Sequence, residues 1–180
     1  YSSLIVAPKN MAAEEASFMS EHYFAKDSMD LAMLGDGLSA GLEEVVMDHA
    51  GTPAAARAAF QLGIINRDAA RFDEAIESFE QADFGDDLFG ALVEANIGDC
   101  MVELGDYEGA EGHFASAASR SASGLAAKAL SPMCSYKQAL VLLELGNEDK
   151  ARKVLQSISK NFPNSTYAAN ATGLAASLAQ

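Results

Sequence analysis

Residues 63–82, GIINRDAARFDEAIESFEQA, recur in altered form as residues 98–117, GDCMVELGDYEGAEGHFASA. The two stretches share a glycine, two aromatic residues and two alanines at the same offsets, 35 residues apart: Gly63, Phe72, Ala75, Phe79 and Ala82 match Gly98, Tyr107, Ala110, Phe114 and Ala117. A third copy lies 41 residues further on, where Gly146, Ala151, Leu155 and Ile158 align with Gly105, Ala110, Phe114 and Ala117. Repeats of this period indicate stacked helical hairpins, each with an apolar face that only a neighbouring hairpin can cover.

The composition of the 180-residue chain favours an all-α fold. Hydrophobic residues make up 49% of the sequence, alanine dominates them, tryptophan is absent and proline occurs at four positions. This length and apolar content allow one domain with a buried core, and small, helix-favouring residues let helices approach closely. The aligned copies predict helix pairs over residues 22–50, 56–83, 88–119 and 132–161, and a closing helix over residues 166–179.

Turn and capping residues fall between these predicted helices. Left-handed turns or caps are expected inside the four pairs at Gly35, Asp36 and Gly37, at Arg71, Phe72 and Asp73, at Gly105 and Asp106, and at Gly146 and Asn147. Thr52 before Pro53, and Ser131 before Pro132, are typical of an N-cap followed by proline at the first helical position. Pro163 is expected to end the fourth pair, and Ser165 to cap the closing helix. The third copy is preceded by extra residues within 120–131, for which we expect longer helices joined by a short loop at Ser131.

Small residues recur where the two helices of each hairpin cross. The sequence predicts Gly63, Gly98 and Ala139 on the first helices, opposite Ala75, Ala110 and Ala151 on the second. A larger side chain at that crossing would push the helix axes apart. The larger residues Phe79, Phe114 and Leu155 are then expected to fill the gap to the next hairpin.

The chain is strongly acidic, with a formal net charge of −14. A polyphosphate backbone or an anionic membrane surface would repel it, so nucleic-acid binding is not expected. The charge is uneven: residues 1–111 hold 23 acidic and 5 basic residues, against 3 and 7 in residues 112–180. The acidic half is either a set of solvated helix faces or a surface that attracts a basic partner.

No pattern of catalytic or metal-binding residues emerges from the sequence. Neighbouring acids such as Asp86 and Asp87 point in different directions on a helix, and neither a histidine nor a glycine-rich loop accompanies them. Cys100 and Cys134 are predicted to lie at levels roughly 10 Å apart, beyond the reach of a disulfide, and to be buried and structural. We therefore expect neither enzyme activity, nor a cofactor, nor a bound metal ion.

The repeated positions resemble the tetratricopeptide repeat family. Its inter-helix turn is similar to Leu104 to Ala110 (LGDYEGA) and Leu145 to Ala151 (LGNEDKA), and its junction between repeats is similar to Asn161 to Ala168 (NFPNSTYA). The chain departs from the family at Ala59, Glu94 and Ser135, where tryptophan or leucine is expected. The resemblance implies a right-handed α–α superhelix, or solenoid, of about four hairpins with a C-terminal capping helix.

The N-terminal part has a narrower resemblance. The segments EHYFAKDS (residues 21–28), LGDG (34–37) and AGTPAA (50–55) are similar to bacterial membrane-anchored tetratricopeptide repeat proteins related to the ancillary subunit of the SecYEG translocon. Leu4, Ile5, Val6 and Ala7 then look like the tail of a removed anchor. This implies an N-terminal extension over residues 1–20, a repeat domain over residues 21–180, and a place on the periplasmic side of the inner membrane, with the cytoplasm as the alternative.

In the family's geometry the first helix of each pair lines a concave groove. The resemblance implies that the groove residues are Tyr23, Lys26, Asp30 and Met33; Arg57, Phe60, Ile64 and Arg67; Leu92, Ala95, Asp99 and Val102; Met133, Tyr136, Leu140 and Leu143; and Tyr167, Asn170 and Leu174. The carboxylate clamp of chaperone-binding members is not expected, because Lys26, Arg57, Arg67 and Asn170 do not follow its pattern. The apolar end of the groove suits an amphipathic helix or an extended apolar segment, unless the closing helix covers it.

These observations predict a non-catalytic scaffold that binds a protein or peptide partner in bacterial envelope protein export or assembly. The alternative is a structural homo-oligomer, a homodimer in the simplest case, in which residues 10–34 pack against a second copy. That alternative would use Phe18, Met19, Tyr23 and Phe24, which the first hairpin also needs for its own core.

Overall fold

The computed structural model describes residues 2–122 and 128–178, and residues 2–5 by their backbone alone. Within these ranges the chain forms ten α-helices and no strand. The helices are α1 (Ser2–Ala25), α2 (Met29–Leu34), α3 (Leu42–Asp48), α4 (Pro53–Asp68), α5 (Phe72–Glu80), α6 (Asp87–Leu104), α7 (Tyr107–Arg120), α8 (Leu130–Glu144), α9 (Glu148–Asn161) and α10 (Ala168–Ser177). They form two compact units, an N-terminal unit over Tyr1–Phe84 and a C-terminal unit over Gly85–Gln180.

Three of the four predicted helix pairs are confirmed. Helices α4 and α5, α6 and α7, and α8 and α9 each pack as a hairpin, and α10 packs on α9 as the closing helix. Pro163 lies just after α9, as predicted. The N-cap at Thr52 is also confirmed, because its side chain accepts a hydrogen bond from the Ala55 amide at 3.2 Å and Pro53 opens α4.

The first predicted pair is wrong in its internal boundaries. Helix α1 runs from Ser2 through position 22 and ends at Ala25, and two short helices, α2 and α3, replace the second half. The break follows from Asp27, whose φ of +61° is left-handed and cannot continue a helix. Helix α1 packs against α2, α3 and α4, so the N-terminal unit uses one long helix where the other hairpins use two matched ones.

Two further local predictions are wrong. Ser131 does not cap α8, which begins one residue earlier; its hydroxyl instead donates to the Ala118 carbonyl of α7 at 3.2 Å. Tyr167, rather than Ser165, occupies the N-cap position of α10. The predicted short loop at Ser131 is therefore replaced by a connection that precedes Leu130, of which residues 123–127 lie outside the described part.

The turns inside the three regular hairpins share one geometry. The amide of Arg71 donates to the Asn66 carbonyl at 2.9 Å, and the same bond joins Asp106 to Met101 and Asn147 to Leu142. This closure requires a left-handed residue just before the donor. Gly105 (φ +79°) supplies it between α6 and α7, and Gly146 (φ +72°) between α8 and α9. Between α4 and α5 the left-handed residue is Ala70 (φ +58°).

Ala70→Gly is therefore expected to stabilise the protein by about 1 kcal/mol. A left-handed conformation costs a residue with a Cβ about 1–2 kcal/mol, and part of the gain is offset by the greater freedom of glycine in the unfolded chain. The midpoint and slope of urea unfolding measure the change. Ala69→Gly is the matched control, because Ala69 is equally exposed but has a φ of −87°. An equal effect at both positions would contradict this explanation.

At the helix crossings, the large residue of the second helix lies against the small residue of the first, and Phe114 also packs with Val141 of the next hairpin, as predicted. A Cβ built on Gly63 would lie 2.5 Å from the ring of Phe79, and one on Gly98 would lie 2.8 Å from the ring of Phe114. Each phenylalanine thus covers the glycine of its own hairpin, and both rings are buried. In the next hairpin Ala139 and Leu155 belong to one core cluster. A phenylalanine therefore packs on a glycine in two hairpins, and the smaller leucine packs with an alanine in the next.

Both cysteines are buried in the C-terminal unit and keep their thiols, as predicted. Burial raises the pKa of the Cys134 thiol to about 11, which keeps it protonated at neutral pH. The thiol therefore acts as a small apolar side chain in the cluster it shares with Ala95 and Ala117.

Candidate partner-binding surface

In the C-terminal unit, α6 and α8 contact each other and both pack on α7. The Lys137 ammonium joins them by donating to both carboxylate oxygens of Asp99, at 2.7 Å and 2.6 Å. The same nitrogen lies 5.6 Å from the centre of the Phe114 ring. Asp99, predicted as a partner contact, is therefore already neutralised by a residue that the prediction left out.

The apolar residues of α8 divide into covered and open ones. Tyr136 packs against Tyr167, with ring centres 5.5 Å apart, in the cluster where α10 contributes Ala171 and Ala175. Leu140, one turn further along α8, keeps 41% of its surface exposed. Tyr136 is therefore half-buried against the segment that precedes α10, whereas Leu140 is exposed.

The remaining predicted residues of this unit differ in burial: Ala95 is buried, Asn170 is exposed, and Leu92, Val102, Met133, Leu143 and Leu174 are half-buried. Met133 packs beside Cys134, and Val102 packs on the cluster of Ala110 and Phe114. Leu92 and Leu143 lie at the helix surface with part of each side chain exposed. The half-buried and exposed residues that we call the α6–α8 surface are Leu92, Asp99, Tyr136, Lys137, Leu140 and Tyr167.

In the N-terminal unit, the two arginines of the predicted groove form ion pairs with acidic residues of the same unit. The Arg57 guanidinium donates to Glu14 at 2.6 Å and to Glu21 at 3.1 Å, both on α1. The hydrogen bond to Glu14 is the main reason that the pKa of Arg57 is raised. Arg67 pairs with Asp68 at 2.8 Å. Arg57 therefore joins α4 to α1, whereas Arg67 pairs with its chain neighbour on α4.

The other predicted residues of the N-terminal unit are apolar contacts or helix ends. The Phe60 ring packs at 5.5 Å from Phe79 and at 5.8 Å from Phe84, measured between ring centres. Ile64 is half-buried beside it, and Lys26 is exposed just after α1.

Tyr23 has a positioning role that the sequence did not predict. Its hydroxyl donates to Asp36 Oδ2 at 2.8 Å, and Asp36 Oδ1 accepts the amides of Leu38 at 2.9 Å and Ser39 at 2.7 Å. The backbone amide of Leu38, followed by the Tyr23 hydroxyl, lowers the pKa of Asp36. The carboxylate therefore stays ionised and ties the loop after α2 to the end of α1.

The aromatic residues assigned to the homo-oligomer alternative differ in burial. Tyr23 and Phe24 pack on the core cluster of the N-terminal unit, which includes Leu42 and Leu62. Phe18 points away from that core with 68% of its surface exposed. The first hairpin thus uses two of the three aromatics internally.

Within residues 2–122 and 128–178, no group of three or more histidine, cysteine, aspartate or glutamate side chains is arranged to hold a metal ion. No helix in the same ranges is long and apolar enough to cross a membrane.

Comparison with known proteins agrees with the helical-repeat architecture. The crystal structure of a tetratricopeptide repeat protein from Parabacteroides merdae superposes with a TM-score of 0.63 at 19% sequence identity. The match covers 89% of this chain, which spans only 60% of that chain's length. The likeness shows the fold: this is an all-α helical repeat of the tetratricopeptide type. No curated protein matches the sequence.

A family model adds a narrower identification. It is described as T7SS, ESX-1 secretion system protein EccA1, N-terminal domain, and it matches residues 19–175. Neither this match nor the solved structure supports the resemblance to the ancillary subunit of the SecYEG translocon. Because the match extends over well more than half of the chain, the protein belongs to the family of the EccA1 N-terminal domain.

Proposed function

We propose that this protein is a non-catalytic interaction module that binds an apolar segment of a partner protein on its α6–α8 surface and serves protein secretion. The helical-repeat fold supports a binding role, since such folds present extended surfaces to other chains. The family description, which names a secretion system protein, supports the process. The observation that carries the proposal is Leu140, exposed beside the packed rings of Tyr136 and Tyr167.

The chemistry of this surface suits an apolar occupant. The Tyr136 and Tyr167 rings, tilted at 42° to each other, provide a large contact area that loses little conformational entropy on binding. Leu140 beside them adds apolar contact area without a charge that binding would have to desolvate. An amphipathic helix or an extended apolar segment would gain from covering these three side chains.

The ion pair next to Leu140 favours the same occupant. Asp99 and Lys137 neutralise each other at 2.6 Å, so a partner that covers them need not supply a compensating charge. An isolated carboxylate there would instead demand a basic residue, because burying an unpaired charge is costly.

Membrane attachment and a periplasmic location stay predictions. They depend on the motifs within residues 21–55 and on the apolar residues before Pro8. The proposed binding activity is independent of both, because its residues lie on α6, on α8 and at Tyr167.

A photo-crosslinking amino acid at position 140 tests the binding proposal. We expect it to capture a discrete partner in cells, and the partner, once identified and purified, to bind the Leu140→Ser variant about tenfold more weakly, as truncation of a contact residue does. Leu104→Ser is the matched control, because Leu104 is similarly exposed but lies on a different face of α6 from Leu92 and Asp99. Calorimetric titration measures both affinities. Equal affinities for the two variants would overturn the assignment of this surface.

A further inference from the structure

The connection between α2 and α3 holds a leucine almost fully in solvent. Leu38 is 97% exposed, and Leu34 at the end of α2 is 70% exposed. Leu31, one turn before Leu34 on the same helix face, is exposed as well. We call these three residues the leucine patch. Scattered exposed leucines are ordinary, but here three within eight residues place apolar area on one short segment.

The loop that carries Leu38 is closed tightly at its base. A Cβ on Gly35 would meet the Ser39 carbonyl oxygen, and a Cβ on Gly41 would meet the Met33 carbonyl oxygen and the Gly35 amide. Backbone therefore packs directly on backbone where the loop begins and ends. Gly35 (φ +80°) and Gly37 (φ +82°) also take left-handed conformations that favour glycine.

Side chains fix the loop from the inside. Asp36 accepts two backbone amides, those of Leu38 and Ser39, and its second oxygen accepts the Tyr23 hydroxyl at 2.8 Å. Tyr23 in turn packs on the core cluster of the N-terminal unit. Ordering a loop costs conformational entropy, and an exposed leucine returns none of it to the folded state. A simple connection between two short helices does not require this arrangement.

Charge indicates what the leucine patch binds. Between Lys26 and Arg57 the sequence holds no lysine or arginine and six acidic residues: Asp27, Asp30, Asp36, Glu43, Glu44 and Asp48. Nucleic acid, an anionic membrane and a second copy of this acidic surface would all be repelled. A segment with apolar and basic residues would gain from both the leucines and the carboxylates.

We propose that Leu31, Leu34 and Leu38 form a docking surface for a basic amphipathic helix of a partner protein. The leucines contact the apolar face of that helix, and its lysines or arginines pair with the exposed carboxylates of residues 27–48. This surface is separate from the α6–α8 surface, and its proposal does not depend on the function assigned there. The fixed loop lowers the entropy lost on binding, because Leu38 is already held in place.

The test uses the full chain and a fluorescein-labelled peptide of 18 residues, with leucines at helical spacing and lysines elsewhere. Fluorescence anisotropy should show binding that weakens as sodium chloride is raised, because added salt screens the attraction. Leu38→Ser should weaken binding at least about tenfold, whereas Leu140→Ser should leave it within about twofold. Because Leu38 is almost fully exposed, the serine variant should keep the melting temperature of the parent.

A triple variant and a control peptide test the charge component. Asp30→Asn with Glu43→Gln and Glu44→Gln should weaken binding and reduce its salt dependence, and a peptide with glutamate in place of lysine should not bind. The proposal would be overturned by no binding of the lysine peptide, by equal binding of Leu38→Ser and the parent, or by loss of binding on Leu140→Ser alone. The last result would leave the α6–α8 proposal intact. A Leu38-dependent dimer in sedimentation would instead identify a second copy as the occupant and would also overturn it.

Discussion

Gly98→Ala is expected to destabilise the protein by about 2 kcal/mol, although the same change elsewhere in a helix is stabilising. The new Cβ would lie 2.8 Å from Cε1 of Phe114 and 3.0 Å from two further ring atoms. That ring is buried, rigid and held between α6, α7 and α8, so it has no open space to enter. Urea unfolding of the whole chain, followed by circular dichroism, measures the loss.

Two matched variants separate crowding from other effects of alanine. Gly112→Ala on α7 meets no atom within 4 Å and should stabilise the protein by about 0.5–1 kcal/mol. Gly98→Ala combined with Phe114→Leu should recover part of the loss, because it copies the pairing of Ala139 with Leu155 in the next hairpin. If Gly98→Ala were as stable as the parent, or if Phe114→Leu restored no stability, contact with the Phe114 ring would not limit the size of the residue at position 98.

The hairpins were predictable because the repeated residues are those at which helices touch. Gly63, Gly98 and Ala139 are small for a packing reason, and their spacing survives where the rest of the sequence varies. Which residue fills the space beside them was not predictable. The prediction placed Phe114 in the gap to the next hairpin, where it packs with Val141, but did not expect its ring to lie against Gly98 as well.

The first hairpin was mispredicted because it has no copy to align. Its helix boundaries depend on one left-handed aspartate, Asp27, and on a loop whose glycines touch backbone. Gly35, Asp36 and Gly37 were recognised as a break, which the structure confirms. That the break is a closed loop with Leu38 at its tip could not be predicted, since it depends on Tyr23 reaching Asp36 from another helix.

The candidate surface was predicted in its helix face but not in its contacts. The family register places Asp99 on α6 and Leu140 on α8 at equivalent positions. The two helices contact each other in the structure. The ion pairs that occupy such faces join residues far apart in sequence, as Lys137 and Asp99 or Arg57 and Glu14 do. Sequence periodicity indicates which side of a helix is exposed, and it carries no information about partners of this kind.

Gly41→Ala is expected to cost about 3 kcal/mol and to release the loop that carries Leu38. The backbone at Gly41 (φ −83°, ψ 171°) suits any residue, so conformation is not the obstacle. The added Cβ would run into the Met33 carbonyl oxygen, the Gly35 amide and the Leu34 carbonyl carbon. All three are main-chain atoms, so relief requires that the end of α2 or the base of the loop move. Urea unfolding measures the cost, and exchange of the Leu38 and Ser39 amides reports the loop.

Gly37→Ala is the control within the same loop. Its Cβ would meet no atom within 4 Å, so only the left-handed φ of +82° opposes it, at about 1–2 kcal/mol. The base of the loop and the Asp36 hydrogen bonds should survive, and the Leu38 and Ser39 amides should stay protected. Gly41→Ala should expose both amides and weaken binding of the lysine peptide, whereas Gly37→Ala should preserve binding. Equal costs and equal protection in the two variants would show that backbone contact at Gly41 does not hold the leucine in place.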